Sequence, residues 1–211
     1  MGEDGFSDTG GDTCTAAGEK VSGTLIAKMT ASGSTSLILT WNKVTGAEGY
    51  DVFFVKCGKG KPALVKSFKG NKTFRWKKTK LKKKTAYKAL VKAYITKNGK
   101  KKYVLSSPQA HVYTSGGTEN YANVKSVTLA KSRVTLKKGG KYKIKAAVNK
   151  TDPKKRLMPE KHTLQLRYIS SNKKIATVSR AGRITAKAAG SCKVYVIAQN
   201  GAKKTLTVTV R

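Results

Sequence analysis

The chain of 211 residues carries 45 Lys and Arg against 10 Asp and Glu, a formal charge of +35 at pH 7, with 38% hydrophobic residues. That hydrophobic share, together with frequent Val, Ile, Thr and Tyr, supports packed β structure rather than disorder. No apolar run is long enough to span a bilayer, and ten acids leave little material for acid–base catalysis.

The charge is unevenly placed. Glu3, Asp4, Asp8, Asp12 and Glu19 precede the first basic residue, Lys20. Residues 20–115 then hold 22 basic side chains against 2 acidic, and residues 116–211 hold 23 against 3, so each half carries +20. Such an excess attracts polyanions through salt-sensitive forces. Anionic wall polymers, acidic glycans, lipid headgroups and nucleic acid are the candidate partners; the alternative is that the lysines only keep a β-rich protein soluble. Cys14, Cys57 and Cys192 are odd in number and scattered, so neither a disulfide framework nor a metal-ligand spacing is expected, and no cofactor. The acidic, Gly-rich N-terminus is the opposite of a signal peptide. The chain is therefore expected to be either intracellular or a mature or truncated piece of an exported protein.

In chain order, residues 1–19 lack periodicity and are expected to form a flexible acidic tail. Short alternating apolar runs follow: Leu37, Leu39 and Trp41; Tyr50, Val52 and Phe54; Phe74 and Trp76; Tyr87, Ala89, Val91 and Ala93. A period of two predicts strands. Thr45-Gly46, Gly58-Lys59-Gly60, Gly70-Asn71 and Asn98-Gly99 supply the turns between them. The small, polar stretch from Thr114 to Asn120 predicts a linker around Gly116-Gly117, with no obligatory contact between the parts it joins. A second strand set follows: Val127 and Leu129; Tyr142, Ile144 and Ala146; Leu164, Leu166 and Tyr168; Ile184 and Ala186; Cys192, Val194, Val196 and Ala198; Leu206, Val208 and Val210. No helix is expected. Two sets of about seven short strands in about 90–100 residues each fit two immunoglobulin-like sandwiches.

The stretch "RWKKTKLKKKTAYKALVKAY" from Arg75 to Tyr94 holds both a basic run and an alternating strand. Leu81, Thr85 and Tyr87 have the layout of a tyrosine corner, in which a Tyr hydroxyl bonds to backbone a few residues upstream. The lysines between them then belong to an exposed turn rather than to a free basic arm.

These residues carry a resemblance. With Trp41 in "LTWNKVTGAEGYDVFF", Leu81 and Tyr87 in "LKKKTAY", and Ala93-Tyr94, residues 20–115 resemble a fibronectin type III domain of the kind common in bacterial surface and secreted proteins. The resemblance implies a buried Trp41 on the second strand and no inter-sheet disulfide. From "YISSNKKIATVSRAGRITAKAAG", Tyr168 to Gly190, residues 123–211 resemble a bacterial immunoglobulin-like domain of the second group, found in adhesins and cell-surface proteins. Ser170, Ser171, Asn172, Ala176, Val178, Gly182, Ile184 and Gly190 fit the pattern. Tyr168, where the family usually has Trp, and the long segment Lys150–Thr163, which bears on a binding loop, depart from it. The expected fold is all-β: two consecutive immunoglobulin-like β-sandwiches, 20–115 and 123–211, joined by a short linker, 116–122.

No catalytic constellation is visible. His111 and His162 fall in different modules, and Glu48 and Asp51 lack a neighbouring base in sequence. Asp152 stands alone in a Lys-rich loop, which disfavours a cation site. Asn71-Lys72-Thr73 and Asn149-Lys150-Thr151 match the glycosylation pattern, which is common by chance. The expectation is a non-enzymatic cell-surface spacer and adhesion segment, extracellular, monomeric and without a transmembrane segment. Its candidate polyanion contacts are Lys77, Lys78, Lys80, Lys82, Lys83, Lys84, Lys100, Lys101, Lys102, Lys154, Lys155 and Arg156. Anionic cell-wall polymer, acidic glycan or a protein is the candidate partner. One alternative is an accessory carbohydrate-binding module of an exported enzyme, using Trp76 as an aromatic platform. The other is a nucleic-acid binder, which the absence of any nucleic-acid motif disfavours.

Overall fold

The computed structural model describes residues 14–16, 19–114, 121–160 and 162–211. Most of the acidic tail, and the Gly116-Gly117 linker, lie outside the described residues. Nineteen strands and no helix occur among those described. A hairpin of β1 (Cys14–Ala16) and β2 (Glu19–Val21) precedes the first sandwich.

One sheet of that sandwich runs β3-β4-β7, from Ala27–Ala31, Leu37–Trp41 and Arg75–Lys78. The other runs β10-β8-β5-β6, from Ala110–Tyr113, Ala86–Lys97, Gly49–Lys56 and Ala63–Lys69. Strand β9 (Lys100–Ser106) also pairs with β8. The alternation in Leu37, Leu39 and Trp41 buries all three, as it does Tyr87, Ala89, Val91 and Ala93. Trp41 packs at 5.9 Å from Tyr50 and 5.4 Å from Phe68. Asn98 at φ 52° and Gly99 at φ 71° both take the left-handed region. That is the backbone a two-residue hairpin turn between β8 and β9 requires.

The second sandwich contains β11 (Val124–Leu129), β12 (Arg133–Leu136), β13 (Lys141–Lys143), β14 (Ala146–Lys150) and β15 (Leu166–Ser170). It continues with β16 (Ala176–Val178), β17 (Arg183–Ala186), β18 (Gly190–Ala198) and β19 (Lys203–Val210). Their sheets run β12-β19-β18-β15, β13-β17-β16 and β11-β14. Strand β12 joins β19 in parallel, Arg133 opposite Thr207. The "SSN" segment works through Ser170, whose hydroxyl donates to Ala176 O at 2.6 Å and accepts from Asn172 N at 3.2 Å. Gly182 has φ 74°, and a Cβ there would stand 2.7 Å from the Tyr168 ring. A glycine is therefore required where that ring lies.

Two expectations need correction here. Tyr142, Ile144 and Ala146 do not share one strand: the chain breaks between β13 and β14, where Ile144 N–H donates to Gly182 O at 2.9 Å. In β15 it is Arg167, Ile169 and Ser170 that are buried, while Leu166 and Tyr168 are half-buried, so both faces of the strand are covered.

The Arg75–Tyr94 stretch is a strand, a corner and another strand. Tyr87 Oη accepts the Lys82 N–H at 3.0 Å, Leu81 and Thr85 are buried, and Lys80 and Lys84 take positive φ of 57° and 55°. Tyr87→Phe is expected to cost about 1 kcal/mol, the scale of one lost hydrogen bond. Replacing Lys82, Lys83 and Lys84 by Ser should cost much less, since all three side chains are exposed. Urea unfolding of the three proteins gives the ranking; a larger loss in the triple variant would contradict the corner.

Candidate functional site

Chemically distinctive side chains gather in two regions, the basic surface and the seam between the sandwiches. Along residues 75–84, Arg75, Lys77, Lys78, Lys80, Lys82, Lys83 and Lys84 are all exposed. Lys100, Lys101 and Lys102 are exposed on β9, but at the opposite end of β8 from the corner. Twelve residues of strand separate the two groups by roughly 40 Å. Lys154 and Arg156 are exposed and Lys155 half-exposed, on the long segment the sequence flagged. Tethers link that segment to the corner: Lys82 O accepts from Thr114 Oγ1, Asn123 brackets the Tyr113 backbone, and Ala122 N–H donates to Arg156 O. The corner and the 154–156 group therefore flank the seam, and Lys100–Lys102 stand apart.

Lys101 differs from the rest. Its ammonium contacts both carboxylate oxygens of Asp51, at 3.0 and 3.1 Å, and lies 4.3 Å from the Tyr94 ring centre. Asp51 is 1% exposed and also accepts from Tyr103 Oη at 2.8 Å. Desolvation first, then the Asp51 carboxylate, pushes the Tyr103 phenol up to about 12. Asp51 thus has a structural role, as has Glu48, whose carboxylate accepts Thr96 N–H at 2.9 Å. Trp76 is half-buried, packed on the first core and 5.6 Å edge-on from Phe54. Asn71, in one glycosylation match, is held by Tyr50 Oη at 2.7 Å and Val44 O at 3.0 Å. The long segment also walls a cleft of about 610 Å³, lined among others by Tyr121, Lys150, Arg156, Leu157 and Gln165.

The two modules meet at a seam of direct contacts, on which the linker's composition was silent. The β18–β19 turn, Gln199 to Ala202, lies across the edges of β3 and β10. Met29 N–H donates to Asn200 O at 2.8 Å, and His111 N–H donates to Gln199 O at 2.7 Å. Arg167 reaches from β15 to Gln109 O at 3.0 Å and to Thr163 Oγ1 at 2.9 Å. Ile26, Ile169 and Ile197 form a separate apolar cluster between the sandwiches, with Tyr195 against it. The His111 and His162 rings, expected in separate modules, meet at 5.4 Å, and Cys57 joins them. Burial, then the charges of Arg167, His162 and Lys88, pushes His111 down to about 3, so its imidazole is neutral at ordinary pH. Burial pushes the Cys57 thiol up to about 11, even against the nearby Lys88.

The continuous apolar run from Val194 to Ala198 signals a strand covered on both faces. It was the one sign of the seam in the sequence. No spacing rule joins Cys57, His111 and His162.

Residues 123–210 match the family described as the bacterial Ig-like domain (group 2). Among curated proteins, none matches the sequence. Among solved structures, an intimin mutant from EHEC O157:H7 is 18% identical over 39% of this chain and 42% of its own, with a TM-score of 0.28. The FN5 domain of Drosophila Lar is 30% identical over 43% of this chain and 92% of its own, with a TM-score of 0.32. The fn3 domain of human contactin 1 is 11% identical over 53% and 95%, with a TM-score of 0.37. The chain thus spans less than half of that intimin chain.

The fold is all-β, in two immunoglobulin-like sandwiches. Residues 123–210 thus match a bacterial immunoglobulin-like domain of the second group, and the sandwich that precedes them keeps the fibronectin type III resemblance read from its sequence. Domains of the second group occur in extracellular and surface proteins. No helix among the described residues is long and apolar enough to cross a membrane.

Gly201 tests the seam. It has φ +84°, and a Cβ there would stand 1.9 Å from Ala27 O across the interface. Gly70 has φ +82° with nothing within 4 Å of its Cβ position. Gly70→Ala is expected to cost about 1 kcal/mol from the backbone alone. Gly201→Ala should cost clearly more and split thermal unfolding into two transitions. Calorimetry of both variants checks this; equal losses with a single transition would mean that the seam contributes nothing.

Proposed function

We propose that the chain is a non-enzymatic surface segment: a two-module spacer that holds its neighbours at a fixed angle and adheres to anionic polymers. In this reading residues 20–115 and 123–211 are the modules, and 116–122 connects them. The carrying observation is the run of seven exposed basic side chains in residues 75–84, with no acidic residue among them. Ten acids cannot neutralise 45 bases. Lysine dominates, and an ammonium is a point charge without the planar fork that selects phosphate or carboxylate geometry. Adhesion of this kind follows polymer charge density and ionic strength through counterion release. The docked seam supports the spacer part, because it removes the freedom that a lone Gly-Gly linker would allow. The surface context follows from the domain types and supports an extracellular location.

A second reading rests on one observation, the 610 Å³ cleft under residues 150–163, which would suit an accessory carbohydrate-binding module. Trp76 gives it little support, since that ring is already packed against Phe54.

Binding to teichoic acid, heparin and duplex DNA is expected at about 50 mM salt, with affinity falling on the order of a thousandfold by about 200 mM. Replacing Lys77, Lys78, Lys80, Lys82, Lys83 and Lys84 by Ser should weaken all three and flatten the salt slope. Lys101→Ser should weaken binding least and destabilise the fold most, because Lys101 neutralises buried Asp51. Fluorescence titrations across the salt series measure this. Tight, salt-insensitive binding of one uncharged glycan would overturn the electrostatic account in favour of the cleft, and no binding at low salt would leave the spacer alone.

A further inference from the structure

We propose that Cys57, His111 and His162 form a binding site for a thiophilic metal ion of the Zn²⁺ class, which clips the two sandwiches together. The three side chains come from separate places. Cys57 follows β5, its N–H held by Ala86 O at 3.0 Å. His111 lies in β10 opposite Lys88, beside the docked turn. His162 lies in the long segment of the second sandwich, its N–H bonded to Pro159 O at 2.9 Å. One potential ligand atom from each lies within 4.8 Å of the others. Metal–ligand bonds of about 2.0–2.3 Å in a tetrahedron place ligand atoms about 3.3–3.8 Å apart. Closing the set requires roughly 1 Å of movement, within reach of side-chain rotation at two half-buried residues, Cys57 and His162.

The chemistry of the donors agrees. One thiol and two imidazoles suit Zn²⁺ or Cu⁺ and not Ca²⁺ or Mg²⁺, which take oxygen ligands. His111 is 1% exposed, and its Nδ1 makes no hydrogen bond of normal geometry, although the Gln109 backbone interacts with the ring. Buried polar atoms without partners are rare and call for a cause. Coordination by Cys57 converts S–H to a metal–thiolate bond and releases one proton to solvent, with no change of oxidation state. The nearby positive groups, Arg167 and Lys88, oppose a cation; the thiolate charge offsets part of that, and Arg167 is directed onto Gln109 O and Thr163 Oγ1. Three protein ligands leave a position for solvent or for a donor from another molecule.

The full chain, stripped with a chelator, is the protein to test. Titration with ZnCl₂ should show one equivalent bound, with a rise in unfolding temperature of about 5–10 °C at a hundredfold excess over Kd. CoCl₂ should give a thiolate-to-cobalt charge-transfer band and visible bands of tetrahedral cobalt. Cys57→Ser should abolish the charge-transfer band. His162→Gln should still unfold cooperatively without metal and lose at least tenfold in affinity, a lower bound taken from the loss of partners that merely orient a ligand. Cys14→Ser should change nothing, which separates this thiol from the one in the tail. Cobalt bound without the charge-transfer band, or unchanged affinity in both the Cys57 and His162 variants, would overturn the proposal.

Discussion

A four-residue turn, Gln199 to Ala202, sits on two edge strands of the first sandwich, β3 and β10, and the arrangement of the modules depends on it. Sheet edges present unpaired N–H and C=O groups and invite wrong partners. Here the N–H groups of Met29 on β3 and His111 on β10 are taken by carbonyls of the same turn. If the turn lifted away, both N–H groups would exchange these carbonyls for water, each a net loss of about 0.5–1.5 kcal/mol. Gly201 is the residue that permits the approach, with its α-carbon against the Ala27 carbonyl. Asn200 braces the turn from behind, through Val124 O at 2.9 Å and Ala202 N at 3.0 Å. The docking surface is thus part of the second sandwich's own fold and not an appendage to it.

The sequence made the inside of each sandwich legible and left the contact between them dark. Trp41, Leu81, Tyr87, Ser170 and Gly182 each answer a demand local to one module, and their spacing carried that demand. Strands with one covered face alternate, so β4, β8 and β17 could be placed. Strand β6 exposes nearly every residue, including Leu64 at 51% and Val65 at 42%, and β10 buries all four of its residues. Neither alternates, for opposite reasons, and neither could be found by period. The seam was hidden in the same way. Ile169 and Ile197 point away from their own core, and a sequence pattern cannot say what covers them. Cys57, His111 and His162 are joined only by the docking of whole modules, which no local spacing encodes.

The basic surface divides on the same principle. The lysine run at the corner is exposed because the corner itself needs only Leu81, Thr85 and Tyr87. Its lysines are therefore open to a partner at no cost to the fold, and Lys80 and Lys84 supply the turn's left-handed backbone besides. Those on β9 lie beside a buried carboxylate, and one of them is committed to it. Charge alone would rank the two clusters as equals. Geometry separates a free cluster from one partly spent on structure.

Two modules that each carry +20 ought to resist close docking, yet they share an interface lined with buried side chains. The resolution lies in screening length. At physiological ionic strength, exposed charges interact over about 8 Å, so the total charge matters less than what stands within that distance of the seam. The side chains there are mostly uncharged: Gln109, Asn123, Thr163, Gln199, Asn200 and the isoleucines. His111 gives up its charge in place of burying it, and Cys57 stays a thiol. The buried cation, Arg167, is met by a carbonyl and a hydroxyl, which help to solvate it. Depleting charge at the seam while crowding lysine elsewhere lets one chain be strongly basic and closely docked at once.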